Sequence, residues 1–165
     1  MPANSKATDD LTYSPTHPLL DAVNLRLLAE LVADPRLPMT ELGRRIGMSS
    51  PAVAERVRRL EEAGIIRGWR IDVDPAALGL PLAACIRVRP SPGRLAEVAA
   101  LAASIPEVTE CHRVTGEDCF VLTLHLPSMD QLDRVLDRFL RLGTTTTSMV
   151  QSSPVPPRPL PIPAP

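Results

Sequence analysis

A chain of 165 residues, 44% of them hydrophobic, is long enough to bury a core in one domain or in two small ones. Its aromatic side chains are only Tyr13, Trp69, Phe120 and Phe139, which argues against single-strand or RNA binding by base stacking and leaves Leu, Val, Ile and Ala to build the interior. The net charge is −1, nearly all positive charge is arginine (Lys6 is the single lysine), and three cysteines without metal-ligand spacing point to a reducing compartment with no disulfide framework and no metal site.

The opening residues, MPANSKATDD, hold no apolar h-region, and no apolar run approaches bilayer-spanning length. A soluble, cytoplasmic protein with no membrane partner is expected. Residues 1–17 are polar, carry Pro2 and Pro15, and are expected to be disordered. From Leu19 a helix is predicted, because Leu20, Val23, Leu27, Leu28 and Leu31 recur at helical spacing as far as Asp34-Pro35.

Thr40 is placed to cap a second helix running to about Arg45, with Leu42 and Ile46 as its apolar contacts and Gly47-Met48-Ser49 as the following turn. Ser50-Pro51 then opens a third helix: the hydroxyl can accept from an early backbone N–H, and proline suits the first helical position. Val53, Val57 and Leu60 make its buried stripe, and Gly64 falls where a helix end favours left-handed backbone. Opposite the stripe lie Ala52, Glu55, Arg56 and Arg59, with Arg58 on the flank.

Between Glu41 and Arg59, five arginines (Arg44, Arg45, Arg56, Arg58, Arg59) face two carboxylates (Glu41, Glu55), a local charge of +3. Two short helices joined by a glycine-containing turn, the second capped and basic, read as a helix-turn-helix. Surface arginines alone are commonly just solvated; the cap and the turn favour nucleic-acid binding. Arg44, Arg45, Arg58 and Arg59 are expected to hold phosphates of double-stranded DNA. Ser49, Ser50, Glu55 and Arg56, with Pro51 at the helix start, are the DNA-binding residues expected nearest the base edges.

After Gly64 the period changes. Trp69, Ile71 and Val73 alternate with Gly68, Arg70 and Asp72, which predicts a strand with Trp69 as a core or interface anchor. Asp74-Pro75 and Gly79 to Pro81 then mark a hinge. The expected domains are residues 18–74, a DNA-binding helix-turn-helix with its linker strand; 75–153, a second domain; and 154–165, a proline-rich tail.

The second domain reads as β-α-β, β-α-β. Strands are predicted over 82–89, 108–115, 119–126 and 144–150. One helix carries Leu95, Val98, Leu101, Ala102 and Ile105 and ends at Pro106. The other opens with a Ser128/Gln131 capping box, buries Leu132, Val135, Leu136, Phe139 and Leu140, and ends at Gly143. This is the split βαβ, ferredoxin-like arrangement. Strand alternation assigns Val108, His112, Val114, Phe120, Leu122 and Leu124 to the side beneath the helices. Cys85, Arg87, Cys111, Arg113, Cys119, Val121 and Thr123 fall on the open side, which is wet or, more in keeping with its small and apolar members, packed on a second copy. The proline tail is expected in a polyproline conformation, lying over a neighbour, loose in solvent, or serving as a ligand for proline-binding domains.

Other classes fare worse. Cys111, His112, Cys119 and His125 offer thiols and imidazoles. His112 is read as pointing away from the cysteines, and His125 lies six residues beyond Cys119, roughly 20 Å along a strand. No catalytic residue and no metal ligand is therefore assigned, and no enzyme is expected. A thiol sensor built from Cys85, Cys111 and Cys119 is a lesser alternative, and a protein-binding winged helix another.

Five phrases, LDAVNLRLLAEL, TELGRRIGMSSPAVAERVRRLEEAGIIRGW, DPAALG, HRVTGEDCF and TTTSMVQSSPVPPRPLP, occur in order through both predicted domains. In these, the span from about Leu19 to Pro161 resembles the leucine-responsive regulatory protein family, the Lrp/AsnC or feast/famine regulators. The resemblance implies an α+β protein: an N-terminal winged helix-turn-helix followed by a C-terminal ferredoxin-like βαββαβ regulatory domain. It further implies a transcriptional regulator without a cofactor, homodimers formed through the regulatory sheets and assembled into an octamer, and an amino acid or related small effector bound between dimers. Ser49 to Arg59 matches the family's recognition helix. Thr115, Gly116, Glu117 and Asp118 match the hairpin turn bordering the effector pocket, and Thr145 and Thr147 match a threonine pair facing it. Many members place an acidic residue where this chain has Cys119. Read from the residues alone, Gly116 suits positive φ, and Glu117 and Asp118 are ordinary turn chemistry.

Overall fold

Residues 16–164, those described in the computed structural model, form five helices and four strands in two units, each with its own apolar cluster. Among the described residues, one unit comprises 16–71 together with 157–164; the other is Asp72–Pro156.

The first unit holds α1 (Ala22–Ala33), α2 (Met39–Ile46) and α3 (Ser50–Glu62). The predicted stripes meet: Leu27 and Leu31 of α1, Leu42 and Ile46 of α2, and Val53, Val57 and Leu60 of α3 form one buried cluster with Leu37. Helix α1 starts three residues later than Leu19 because Asp21 caps it, its Oδ1 accepting from the Asn24 backbone N–H at 2.7 Å. Helix α2 is not capped by Thr40, which lies inside the helix; Pro38 occupies the cap position without a side-chain bond. Ser50 does not cap α3 either. It is the first helical residue, Ser49 precedes it, and no hydroxyl bond forms there. The other end of α3 follows the sequence expectation. Gly64 has φ +69, its N–H donates to the Glu61 carbonyl, and the Ile65 N–H donates to the Leu60 carbonyl, a closed Schellman end.

Gly43 carries a constraint of another kind. It lies inside α2, buried, where an added Cβ would stand 2.5 Å from the Met48 carbonyl oxygen of the inter-helix turn. Backbone atoms cannot step aside as a flexible side chain would. Gly43→Ala is therefore expected to cost about 1–3 kcal/mol, read as a lower urea midpoint, despite alanine's better helix propensity.

The second unit has β1 (Leu82–Pro90), α4 (Leu95–Ala103), β2 (Val108–Arg113), β3 (Phe120–Leu126), α5 (Met129–Leu140) and β4 (Gly143–Met149), preceded by a 3-10 turn at Ala76–Leu78. The sheet order is β2-β3-β1-β4 with every neighbouring pair antiparallel, the ferredoxin-like order. Ala84, Ile86, Val88, Phe120, Leu122, Leu124 and Leu126 share one side of the sheet. Val98 and Ala102 of α4 and Leu132, Val135 and Phe139 of α5 pack on that side. Neither helix of the unit covers the other side.

Several expectations are corrected here. No strand forms over Trp69–Val73, since nothing among the described residues pairs with it; Trp69 is 47% exposed rather than a core anchor. Leu140 is exposed, just off the buried stripe of α5. Ser128 does cap α5, accepting from the Gln131 N–H, but the reciprocal half of the box is missing: the Gln131 amide donates to Glu107 instead. The parity of β2 is also reversed beyond Val108. A register shift between Val108 and Glu110 inserts one residue, so Cys111 and Arg113 pair with Leu122 and Phe120 on the helix side, and His112 joins Val121 on the open side.

Candidate functional site

The exposed side of α3 is set by its buried one. With Val53, Val57 and Leu60 inward, the outward positions are Pro51, Ala54, Glu55, Arg58 and Arg59, a stripe one turn apart at each step, with Ser49 exposed just ahead of it and Ser50 half-buried. Ala54 belongs to this face in place of the half-buried Ala52 expected from sequence; counting three from Pro51 and four back from Arg58 locates it.

The arginines are held by carboxylates. Arg44 donates from Nε and Nη2 to both oxygens of Glu41 at 2.8 and 2.7 Å, and Arg45 reaches Glu41 at 3.0 Å and Glu30 at 2.7 Å. Arg58 forks onto Glu55 at 2.9 and 2.7 Å and also pairs with Glu62, while Arg59 lies 3.4 Å from the same Glu55 oxygen. Including Glu61 and Glu62, residues 39–66 hold five arginines against four glutamates, so the local charge falls from +3 to +1. The positive field is focused by geometry more than by surplus charge. These pairs are exposed and add little stability; a phosphate oxygen can take the place of either carboxylate.

Hydrogen bonds from Arg44, then Arg45, hold the Glu41 carboxyl down to about 2. The folded value lies below the unfolded one, so whatever this pairing contributes is present above the ordinary glutamate range and is lost as pH falls toward 2. A carboxyl carbon titration by NMR should place the Glu41 midpoint near 2, and Arg44→Ala should move it back up.

Arg56 is used differently. Its Nη1 donates to Asp21 Oδ2 at 3.1 Å and to Asn24 Oδ1 at 3.0 Å, and Asn24, only 5% exposed, donates in turn to the Leu19 carbonyl at 2.6 Å. The Asn24 backbone N–H, then Arg56, holds the Asp21 carboxyl below its usual value. This network ties α3 to α1. The expectation that Arg56 faces a base edge is therefore corrected: its guanidinium is committed inside the unit.

In the second unit, the hairpin turn between β2 and β3 presents Thr115, Gly116 (φ +111), Glu117 and Asp118. Two arginines that alternate along β1 reach these carboxylates. Arg89 pairs with Glu117 and lies 3.9 Å from Asp118 Oδ1, and Arg87 lies 3.8 Å from Asp118 Oδ2. Strand alternation puts Arg87 on the open side but gives neither it nor Arg89 a role; the i, i+2 spacing in IRVRP is the available clue. Thr145 and Thr147 are not gathered with the turn. They pair with Val88 and Ile86, whose side of the sheet bears the helices, whereas Arg87 and Arg89 face the other way.

The thiols are also apart. Cys85 pairs with Thr123 and Ser148 on the open side, Cys111 faces the helix side where burial pushes its thiol up, and all three cysteines are free. Among the described residues no three His, Cys, Asp or Glu side chains cluster as metal ligands, and no helix is long and apolar enough to cross a membrane.

Residues 20–67 match the family model for winged helix-turn-helix DNA-binding, and residues 83–160 match that for the Lrp/AsnC ligand binding domain. The chain is 32% identical to the HTH-type transcriptional regulator LrpC of Bacillus subtilis (strain 168), over 81% of this chain and 92% of that protein. A feast or famine regulatory protein from M. tuberculosis, solved in complex with L-methionine, superposes with a TM-score of 0.80 at 32% identity, covering 86% of this chain and 99% of that one. A transcriptional regulator from Neisseria meningitidis, also solved with L-Met, gives 0.76 at 28% identity, covering 84% and 94%. With a three-helix unit presenting an arginine-flanked helix, and a ferredoxin-like unit following it in sequence, this chain belongs to the Lrp/AsnC family of helix-turn-helix transcriptional regulators, DNA-binding proteins and not enzymes.

Proposed function

We propose that this cytoplasmic regulator binds duplex DNA through the residues up to Ile71 and senses a free amino acid through the unit that follows. The observation that carries the first half is the outward stripe of α3. Arg44, Arg45, Arg58 and Arg59 exchange their glutamate partners for phosphates, while Ser49, Ser50, Pro51 and Glu55 meet base edges. Two copies, paired through the open faces of their sheets and assembled further into an octamer, set two such helices about one turn of DNA apart.

For the effector, the support is charge balance at the hairpin turn. Arg87 and Arg89 against Glu117 and Asp118 sum to zero, and each half of this cluster can be exchanged for one end of a zwitterion. The ammonium goes to Asp118, the carboxylate to an arginine so released. Thr145 and Thr147 lie on the other side of the same sheet, so they contact an effector held by a different copy, which ties ligand occupancy to assembly.

A thermal-shift screen of the proteinogenic amino acids tests this. A ligand at 100 times its Kd should add about 2.7 kcal/mol to the stability of the folded state. Asp118→Asn should abolish the shift while leaving the unliganded transition in place. No shift with any amino acid, with DNA binding intact, would overturn the effector reading alone.

A further inference from the structure

Within the first unit an apolar groove of about 650 Å³ runs between α1 and the segment that follows α3, lined by Leu20, Leu28, Val32, Ile65, Ile66 and Trp69. Its outer wall is the end of the same chain: Pro159, Ile162 and Pro163 line it too. The tail repeats proline through SPVPPRPLPIPAP, a composition that holds the backbone near polyproline II with no internal hydrogen bonds. That helix has three residues per turn, so Pro159 and Ile162 share one edge and Leu160 turns away. Burial is deepest at the last contacts: Ile162 and Pro163 are half-buried, whereas Pro159 is exposed although it lines the groove, and Leu160, which does not line it, is 80% exposed.

We infer that the surface formed by α1 and the segment after α3 is a receptor for a polyproline segment, and that the chain's own Pro157–Pro163 docks along it as the outer wall of the groove. The recognition chemistry is that of proline rings and a branched side chain laid on apolar and aromatic surface, favoured because a pre-stiffened segment loses little entropy on docking. The indole is held in place by a hydrogen bond. Trp69 Nε1 donates to Glu61 Oε1 at 2.9 Å, which anchors the ring to the last turn of α3. The docked tail gives the DNA-binding unit a second covalent tether to the regulatory unit, through residues 150–156, beside the linker at Ile71-Asp72. Groove and tail are independent of the effector site.

Trp69 is the single tryptophan, so its fluorescence reports groove occupancy directly. Three full-length variants and a truncation after Pro156 are compared. Truncation and Ile162→Asp should each red-shift the Trp69 emission and raise its quenching by iodide, and a synthetic peptide of residues 151–164 should reverse the effect of truncation. Leu160→Asp, on the outward edge, should leave both unchanged. Unaltered emission on truncation, or equal effects of the 160 and 162 variants, would overturn the proposal. A photo-crosslinker at position 162, in a mixture of isotopically heavy and light chains, should join the tail to α1 or Trp69 of its own chain. Heavy–light products would instead assign the groove to a second copy and overturn the intrachain assignment. The Glu61→Ala variant separates anchor from receptor: with no acceptor left for the indole N–H it should loosen Trp69, while in the truncated chain the added peptide still binds; loss of all peptide binding would contradict the groove as the recognition surface.

Discussion

Raising salt from 50 to 200 mM should weaken binding to a duplex carrying the regulator's site by about 1,000- to 100,000-fold. Four arginines, Arg44, Arg45, Arg58 and Arg59, flank the outward face of α3, so the proposed two-fold pair of copies would bring eight. Each phosphate neutralised releases condensed counterion, and about 6–10 such contacts give a loss of that order over this interval. The double variant Arg58→Ala, Arg59→Ala removes four of the eight. Its log–log slope against salt should flatten by about 3.6 units, at roughly 0.9 per phosphate. Arg56→Ala should behave otherwise: its guanidinium is spent on Asp21 and Asn24, so stability should fall while the slope holds. Fluorescence anisotropy of a labelled duplex across a salt series measures both. A slope unmoved by the double variant would remove Arg58 and Arg59 from the phosphate contacts.

The second large effect concerns the two apolar clusters, which share no residue. Leu60 is fully buried in one, among Leu27, Leu42 and Val53; Phe139 is fully buried in the other, between the α5 stripe and the sheet. Leu60→Ala should cost about 2–5 kcal/mol and Phe139→Ala about 3–5 kcal/mol, the lost transfer energy plus the cavity left behind. Because each cluster closes on itself, scanning calorimetry should resolve the damage by unit. Leu60→Ala should lower the transition that also carries DNA binding, and Phe139→Ala the other transition, that of the unit Asp72–Pro156. A single transition displaced equally by both variants would mean that the units fold as one.

Glutamates set the charge balance on the outward face of α2 and α3. Glu41 and Glu55 occupy the guanidinium groups in the free protein, so phosphate must displace a partner already in place. The cost of that exchange is the same at any DNA sequence, so discrimination between sites has to come from base contacts.

What was legible in the chain was whatever depends on local order. The helical recurrence of Leu27 and Leu31, of Leu42 and Ile46, and of Val53, Val57 and Leu60 fixed three helices and their inward faces, and the alternation of Phe120, Leu122 and Leu124 fixed the buried side of one strand. Gly64 announced the end of α3 because its positive φ is a one-residue property. The motif order through both units was enough to name the family. Caps were less legible: Thr40 and Ser50 are good capping residues by type, yet where a helix begins is decided by packing, and each fell inside its helix instead.

Tertiary structure decided the rest. Arg56 and Arg58 are two residues apart and chemically identical, and only the position of Asp21 and Asn24 on another element makes the first a strut and leaves the second at the surface. One inserted residue near Thr109 reversed the facing of His112 and Cys111, which no alternation count can foresee because a bulge is a property of the pair of strands. Arg87 and Arg89 became partners of Glu117 and Asp118 across 28 residues of chain, counted from Arg89 to Glu117, only when β1 was set beside β3. Periodicity and residue type are written along the chain and determine elements and faces; which charge meets which depends on distances between elements, and those exist only once the cores have closed.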